Sequence, residues 1–298
     1  MSARTEWPVA GPRTLEFEEP VDALTVRIVG GAVNVVGARG SGPARVEVTE
    51  VHGPPLTVAY QDGALSIGYE DLPGKGLWEF LDPSGRRRRA VVSVTLPADA
   101  GADVGVVEAA TVVSGLGGPV SFRTVTGEGT LVGLAGAVRA QSVAGAVSAQ
   151  HVTGELRLQS VSGDLTAMEC GGPRVRAETV SGDIVVDLDE AAAASDIGLT
   201  TVSGQVAVRL PDPSDAQVEA STTSGTVSNA FEDLRVSGAW GTKRVTGRLG
   251  SGTGRLRLTT VSGGLALLRR PPSDESSRAA APDGTGAETT PPARKKVL

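Results

Sequence analysis

A glycine-closed tripeptide returns every nine residues through the middle of this chain, and no other feature constrains its fold as strongly. Leu116-Gly117-Gly118, Val125-Thr126-Gly127, Leu134-Ala135-Gly136, Val143-Ala144-Gly145, Val152-Thr153-Gly154, Val161-Ser162-Gly163 and Cys170-Gly171-Gly172 each begin nine residues after the last. A fixed period of this kind marks a stack of identical small units rather than a folded globule. Between the tripeptides, Val138-Arg139-Ala140-Gln141 and Leu156-Arg157-Leu158-Gln159 alternate apolar and polar residues, as a strand with one buried face does. One unit is therefore a strand plus a turn. Two units, eighteen residues, make a flat coil with a strand on each side, so Gln141 should lie over Gln159 and Val143 over Val161, about 4.8 Å apart. The turn glycines are expected at positive φ, where a Cβ would clash.

Downstream the tripeptides spread out: Val180-Ser181-Gly182, Val202-Ser203-Gly204, Thr223-Ser224-Gly225 and Val245-Thr246-Gly247 start 22, 21 and 22 residues apart, and Val261-Ser262-Gly263 ends the series. Each of these is expected to mark one whole coil. At roughly 20 residues per coil, Gly115 to Gly263 holds about seven coils, a rod about 35 Å long. Residues 15–97 are strand-rich without the period and are expected to cap the solenoid, leaving 1–14 as a flexible N-terminus and 98–268 as the repeats. Residues 269–298, rich in Pro, Ser, Asp and Thr, are expected to form a disordered tail.

The composition agrees with a thin all-β core. Aromatics make up 3% of the chain against 40% hydrophobic residues, so Val, Leu and Ala must fill it, and 40 glycines and 18 prolines exclude a helical architecture. The formal net charge of −6 argues against a general nucleic-acid binder. The single cysteine, Cys170, takes an apolar position of the repeat and is expected in the core. With no signal-peptide pattern and no apolar run long enough to span a bilayer, a cytoplasmic location is the default expectation, with envelope association as the variant.

Val161-Ser162-Gly163-Asp164 and Val180-Ser181-Gly182-Asp183, with the related units around them, resemble the bacterial putative-adhesin family of β-strand-repeat proteins, a domain of unknown function. The resemblance spans about residues 20 to 268. It implies an all-β fold, a parallel β-solenoid of the β-helix or β-roll kind, and a connection to envelope stress or surface adhesion.

Chemical motifs are sparse. His52 and His151 are the two histidines, and no Gly-x-Ser-x-Gly pentapeptide supplies a nucleophile elbow. Asp164 and Asp183 follow turn glycines, but the equivalent Glu128, Ala137, Ala146, Glu155, Pro173 and Gln205 make no regular calcium cage. Pro73-Gly74-Lys75-Gly76 lacks the rest of a phosphate loop. No catalytic residue, metal ligand or cofactor is therefore expected. The run Arg86, Arg87, Arg88 and Arg89 is the candidate contact for a partner, and Arg139, Arg157, Arg174 and Arg176 form a second cationic series. The expected function is a non-catalytic structural or interaction scaffold for a protein or glycan partner, with self-association through the solenoid ends as a further contact. The alternative is a carbohydrate-active β-helix enzyme, for which the inserts Lys75–Arg89 and Asp187–Asp196 would have to supply clustered acids.

Overall fold

The computed structural model describes residues 4–40, 42–69, 88–192, 194–239 and 241–271. Twenty-six strands run in chain order as β1 (Thr5–Val9), β2 (Arg13–Phe17), β3 (Ala23–Ile28), β4 (Gly30–Ala38), β5 (Ala44–His52), β6 (Leu56–Gln61), β7 (Ala64–Gly68), β8 (Arg89–Pro97) and β9 (Gly101–Val106). Next come β10 (Ala110–Ser114), β11 (Val120–Thr124), β12 (Gly129–Val132), β13 (Val138–Ser142), β14 (Val147–Gln150), β15 (Leu156–Ser160), β16 (Leu165–Cys170), β17 (Arg174–Thr179) and β18 (Ile184–Leu188). The last are β19 (Asp196–Thr201), β20 (Val206–Leu210), β21 (Ala216–Thr222), β22 (Val227–Asn229), β23 (Leu234–Ala239), β24 (Thr242–Leu249), β25 (Gly254–Thr260) and β26 (Leu265–Arg269).

These strands form two sheets, of 14 and 12 strands, packed face to face as an open parallel solenoid. In the first, β3, β9, β11, β13, β15, β17, β19, β25 and β21 stack in parallel; in the second, β4, β10, β12, β14, β16, β18, β20, β26 and β22 do the same. Each coil contributes one strand to each sheet. The register is the eighteen-residue one read from the sequence: Gln141 pairs with Gln159 and Ser142 with Ser160. Antiparallel strands close the first end, where β1 pairs with β6 and β2 with β5. The turn Gln61–Ala64 links β6 to β7 with Asp62 and Gly63 both at positive φ, as a two-residue hairpin requires.

Between the sheets the core alternates large and small residues. Phe122 is fully buried, and a Cβ on Gly129 of the facing sheet would lie 2.2 Å from its ring, so that glycine makes room for the largest side chain of the coil. Cys170 is also fully buried, and burial pushes its thiol up from the usual range.

The two corners of each coil, identical in the nine-residue reading, differ. From the second sheet back to the first, Gly115, Gly133, His151 and Glu169 take left-handed φ values of 70°, 62°, 52° and 52°. This shifts the strand alternation by one, as a bulge does, and turns Leu116, Leu134, Val152 and Cys170 inward to full burial. From the first sheet to the second, no described residue of the coils from β9 onward takes such a φ value. The alternation continues, Ser or Thr points in, and the following valine points out. Val143, Val161, Val180, Val202 and Val261 are therefore exposed, from 39% at Val143 to 51% at Val161. The inward hydroxyls are buried and satisfied by the turn itself: Thr124 Oγ1 and Ser142 Oγ donate to the carbonyls of Gly127 and Gly145 at 3.0 and 2.6 Å, and the Gly163 and Gly182 amides donate to Ser160 and Thr179 at 2.8 and 3.2 Å.

The tripeptide glycines are not at positive φ as expected. They are needed because coils approach closely at the corners: a Cβ on Gly145 would lie 2.0 Å from the carbonyl oxygen of Gly127, and one on Gly163 2.1 Å from that of Gly145. A second expectation also changes. Val245-Thr246-Gly247 is no corner but lies within β24, with Val245 fully buried between Ala220 and Val236 in an antiparallel pairing. The β23–β24 hairpin lets the chain turn back, so β25 and β26 insert between the β19–β20 coil and the β21–β22 coil. Val261 consequently stacks beyond Val202, and Thr223 beyond Val261. The expected tail falls almost wholly on residues 272–298, outside the described residues.

Candidate functional site

The outer face of the first sheet carries the chain's charge in rows, because residues of one register position stack across successive coils. One row runs Asp103, Ser121, Arg139, Arg157, Arg176, Gly198, Arg257, Glu219 and Thr246. Three arginines therefore stand on three adjacent strands, and a fourth, Arg257, follows two coils beyond Arg176, across Gly198. A parallel row places Gln141, Gln159 and Glu178 side by side, linked by side-chain hydrogen bonds of 3.2 and 2.9 Å. On the second sheet, Thr130, Ser148, Thr166, Val185, Ala207 and Ala266 form the corresponding uncharged row. Among the described residues, a chain of net charge −6 thus presents a line of arginines on the first sheet that the corresponding row of the second lacks.

The ends of the line are held by a repeated device. Arg27 lays its arm over Gly105, and its Nη1 and Nη2 donate to the backbone oxygen and carboxylate of Asp103 at 2.9 and 2.7 Å. Arg176 does the same over Gly198, reaching the backbone oxygen and carboxylate of Asp196 at 3.0 and 2.5 Å. Burial alone would raise the Asp103 carboxyl, but hydrogen bonds from Arg27 and Arg123 outweigh it and hold that group below the usual range. Asp196 is lowered chiefly by its Arg176 hydrogen bond, with Arg174 and Arg255 adding their fields. Between these clamps Arg157 has only Glu178 at 3.7 Å, and Arg139 has no ion-pair partner among the described residues.

Past Arg176, the strands β25, β21 and β24 border a hollow of about 640 Å³ lined by Gln217, Val218, Glu219, Thr246, Gly247, Arg248, Arg255 and Arg257. Arg244 and Arg257 both reach Glu219, at 3.0 and 3.4 Å.

A second charged cluster lies at the left-handed corner. The Asp187 carboxylate is nearly fully buried and is held by Arg209, whose Nε donates at 2.9 Å, with Arg270 3.5 Å away. Arg270 also reaches Glu169 at 3.3 Å, and His151 Nε2 lies 2.6 Å from the same carboxylate. Three acids of the Asp187–Asp196 insert are thus committed: Asp187 to arginines, Asp189 to the Ala191 amide at 2.8 Å, and Asp196 to Arg176.

Of the expected partner contact, Arg86 and Arg87 lie outside the described residues. Arg88 stacks its guanidinium 5.3 Å from the centroid of the Tyr69 ring, and exposed Arg89 opens β8 on the second sheet, opposite His52. The structure does not bring Arg89 into the arginine row, and of the second cationic series it places Arg139, Arg157 and Arg176 in one row with Arg174 in the next, beside Asp196. Arg257 was missed because its coil is inserted out of sequence order. The corner hydroxyls did leave a signal: Ser or Thr precedes Val143, Val161, Val180, Val202 and Val261 but none of Leu134, Val152 and Cys170.

No helix among the described residues is long and apolar enough to cross a membrane. No curated protein matches the chain. Among solved structures it is similar to a putative adhesin of Bacteroides fragilis, 14% identical over 88% of this chain and 99% of that one, with a TM-score of 0.48. A putative lipid binding protein of Parabacteroides distasonis is 11% identical over 88% and 98%, with a TM-score of 0.39. A putative cell adhesion protein of Clostridium sporogenes is 10% identical over 87% and 100%, at 0.32. The family model of Toastrack DUF4097 matches residues 44–268, which hold all the coils from β5 to β26, and the chain belongs to that family.

Proposed function

We propose that this chain is a non-catalytic interaction scaffold associated with the cell envelope, which presents the arginine row of its first sheet to an extended acidic glycan. The observation that carries this reading is the stacking of Arg139, Arg157 and Arg176 on adjacent strands. Like charges directly opposite each other destabilise a sheet; Asp196 offsets Arg176 and Glu178 lies 3.7 Å from Arg157, whereas Arg139 has no ion-pair partner among the described residues, so the row still gains from an added counter-charge. A polyanion lying along the coil axis supplies that charge, and the lattice keeps the backbones of these arginines at strand spacing, about 4.8 Å apart. A role in adhesion or in the response to envelope stress is the setting in which such binding has a use. Exposed Arg89, with Arg86 to Arg88, is a second contact in this reading, reached only by a partner that also engages the other sheet.

The test is binding of polygalacturonate against neutral dextran and a DNA duplex, at low salt and at 0.5 M salt. Binding of polygalacturonate alone, weakened at least tenfold by salt and by the double substitution R139Q/R157Q, is expected. Equal binding of DNA would replace the glycan, and release of new reducing ends from the polymer would replace the scaffold with an enzyme.

A further inference from the structure

The hollow bordered by β24, β21 and β25 has two chemically distinct sides, set by strand register. On one side Gln217 stands between Arg255 and Arg248; on the other Glu219 stands between Arg257 and Thr246. The second side is internally neutralised, because Glu219 accepts from both Arg244 and Arg257. The first is not. Arg248 and Arg255 have no ion-pair partner among the described residues, and Asp196, the cross-strand neighbour of Arg255, has its carboxylate bonded to Arg176. Two strand spacings, about 10 Å, separate the backbones of Arg248 and Arg255, so both arms can converge above Gln217.

Arg248 is also placed. Gly252, at φ +78°, leaves the space its arm occupies: a Cβ there would lie 2.9 Å from Arg248 Cγ. The Asp215 carboxylate holds this turn, accepting from the Thr253 amide at 3.0 Å and from the Ser251 hydroxyl at 2.7 Å. Gly247 lines the hollow with its backbone. A volume of about 640 Å³ suits one or two sugar rings.

We propose that this hollow binds a sugar carrying one carboxylate, with Arg248 and Arg255 gripping the carboxylate and Gln217, Glu219 and Thr246 meeting its hydroxyls. A guanidinium matches a carboxylate in a two-point geometry, and the paired amide, carboxylate and hydroxyl supply both donors and acceptors. The inference deepens the acidic-glycan reading of the first sheet and rests on it: the hollow would seat one uronate unit at the end of the arginine row.

The test is calorimetric titration of the full chain with digalacturonate, lactose and glucose 6-phosphate, on wild type, R248Q and R255Q. All three proteins are expected to share one circular-dichroism spectrum, since both arginines are exposed. Digalacturonate should bind, lactose should not, and each substitution should weaken binding at least tenfold. The inference is overturned if digalacturonate fails to bind, if neither substitution matters, or if glucose 6-phosphate binds as tightly. The two readings fail separately. Polymer binding lost in R139Q/R157Q but untouched by R248Q leaves the row and removes the hollow, whereas digalacturonate binding sensitive to R248Q with polymer binding insensitive to R139Q/R157Q leaves the hollow and removes the row.

Discussion

Replacing Gly163 with alanine tests what the corner glycines are for. The new Cβ would sit 2.1 Å from the carbonyl oxygen of Gly145 and 2.8 Å from its carbonyl carbon, both backbone atoms of the adjacent coil. A carbon needs about 3.3 Å to an oxygen, so the coils must part locally by about 1 Å. The Ser162 amide donates to the Val143 carbonyl at 2.8 Å and the Val147 amide to the Asp164 carbonyl at 3.0 Å, and such bonds do not survive that separation. Two or three lost ladder bonds at about 1 kcal/mol each, with about 1–3 kcal/mol of overpacking, give a destabilisation of about 3–6 kcal/mol. Gly133 is the control. It is left-handed at φ +62°, yet a Cβ there meets nothing within 4 Å. Gly133→Ala should cost only the left-handed strain, about 1 kcal/mol after the reduced freedom of the unfolded chain is counted. Urea unfolding followed by far-ultraviolet circular dichroism reads both. A Gly133→Ala loss equal to or larger than that of Gly163→Ala would refute close approach as the reason for the tripeptide glycine.

Leu158→Asp should bury an unpaired charge and lower stability by several kcal/mol, while Arg157→Asp, on the exposed side of the same strand, should change it by less than about 1 kcal/mol; thermal unfolding with equal losses would show the register to be wrong. Asp187→Asn removes the buried carboxylate that Arg209 and Arg270 share; because Arg209 keeps part of its exposure, the expected loss is about 1–3 kcal/mol, and an unchanged urea midpoint would count against the cluster as a structural tie. The carboxyls of Asp103 and Asp196 are lower in the folded chain than in the unfolded one, so their contribution is fully present above about pH 4 and is lost as pH falls through the folded values. Urea midpoints from pH 7 to 2.5 should fall accordingly, and Asp103→Asn should flatten part of that slope; a slope identical to wild type would remove Asp103 from the account.

How much of this was legible follows from the range over which each feature is encoded. Which residues of β13 and β15 face inward is a property of a few neighbouring residues, since alternation has a period of two, and the sequence places Ala140 and Leu158 inside and Arg139 and Arg157 outside as the structure does. The stacking of Gln141 on Gln159 follows because equal-length coils bring equal positions together. The site was legible only in part. Arg139, Arg157 and Arg176 could be seen as a series, but their union with Arg257, and the pairing of Arg248 with Arg255 across Gln217, could not.

By itself, then, the sequence determined the solenoid, its eighteen-residue coil, the faces of its strands and the thin aliphatic core, all of which arise from local periodicity repeated many times. The tertiary structure decided two things beyond that period, the first of them marked in the sequence only by the Ser or Thr before the exposed valines. The residue before each apolar corner position takes either an extended or a left-handed backbone, and that choice buries Leu134 and Val152 while exposing Val143 and Val161. The final coil entered between two earlier ones, because the β23–β24 hairpin reversed the chain and left β19 and β21 unpaired edges for β25 to join. Unpaired strand edges accept whichever strand can reach them, and no local pattern states which one will.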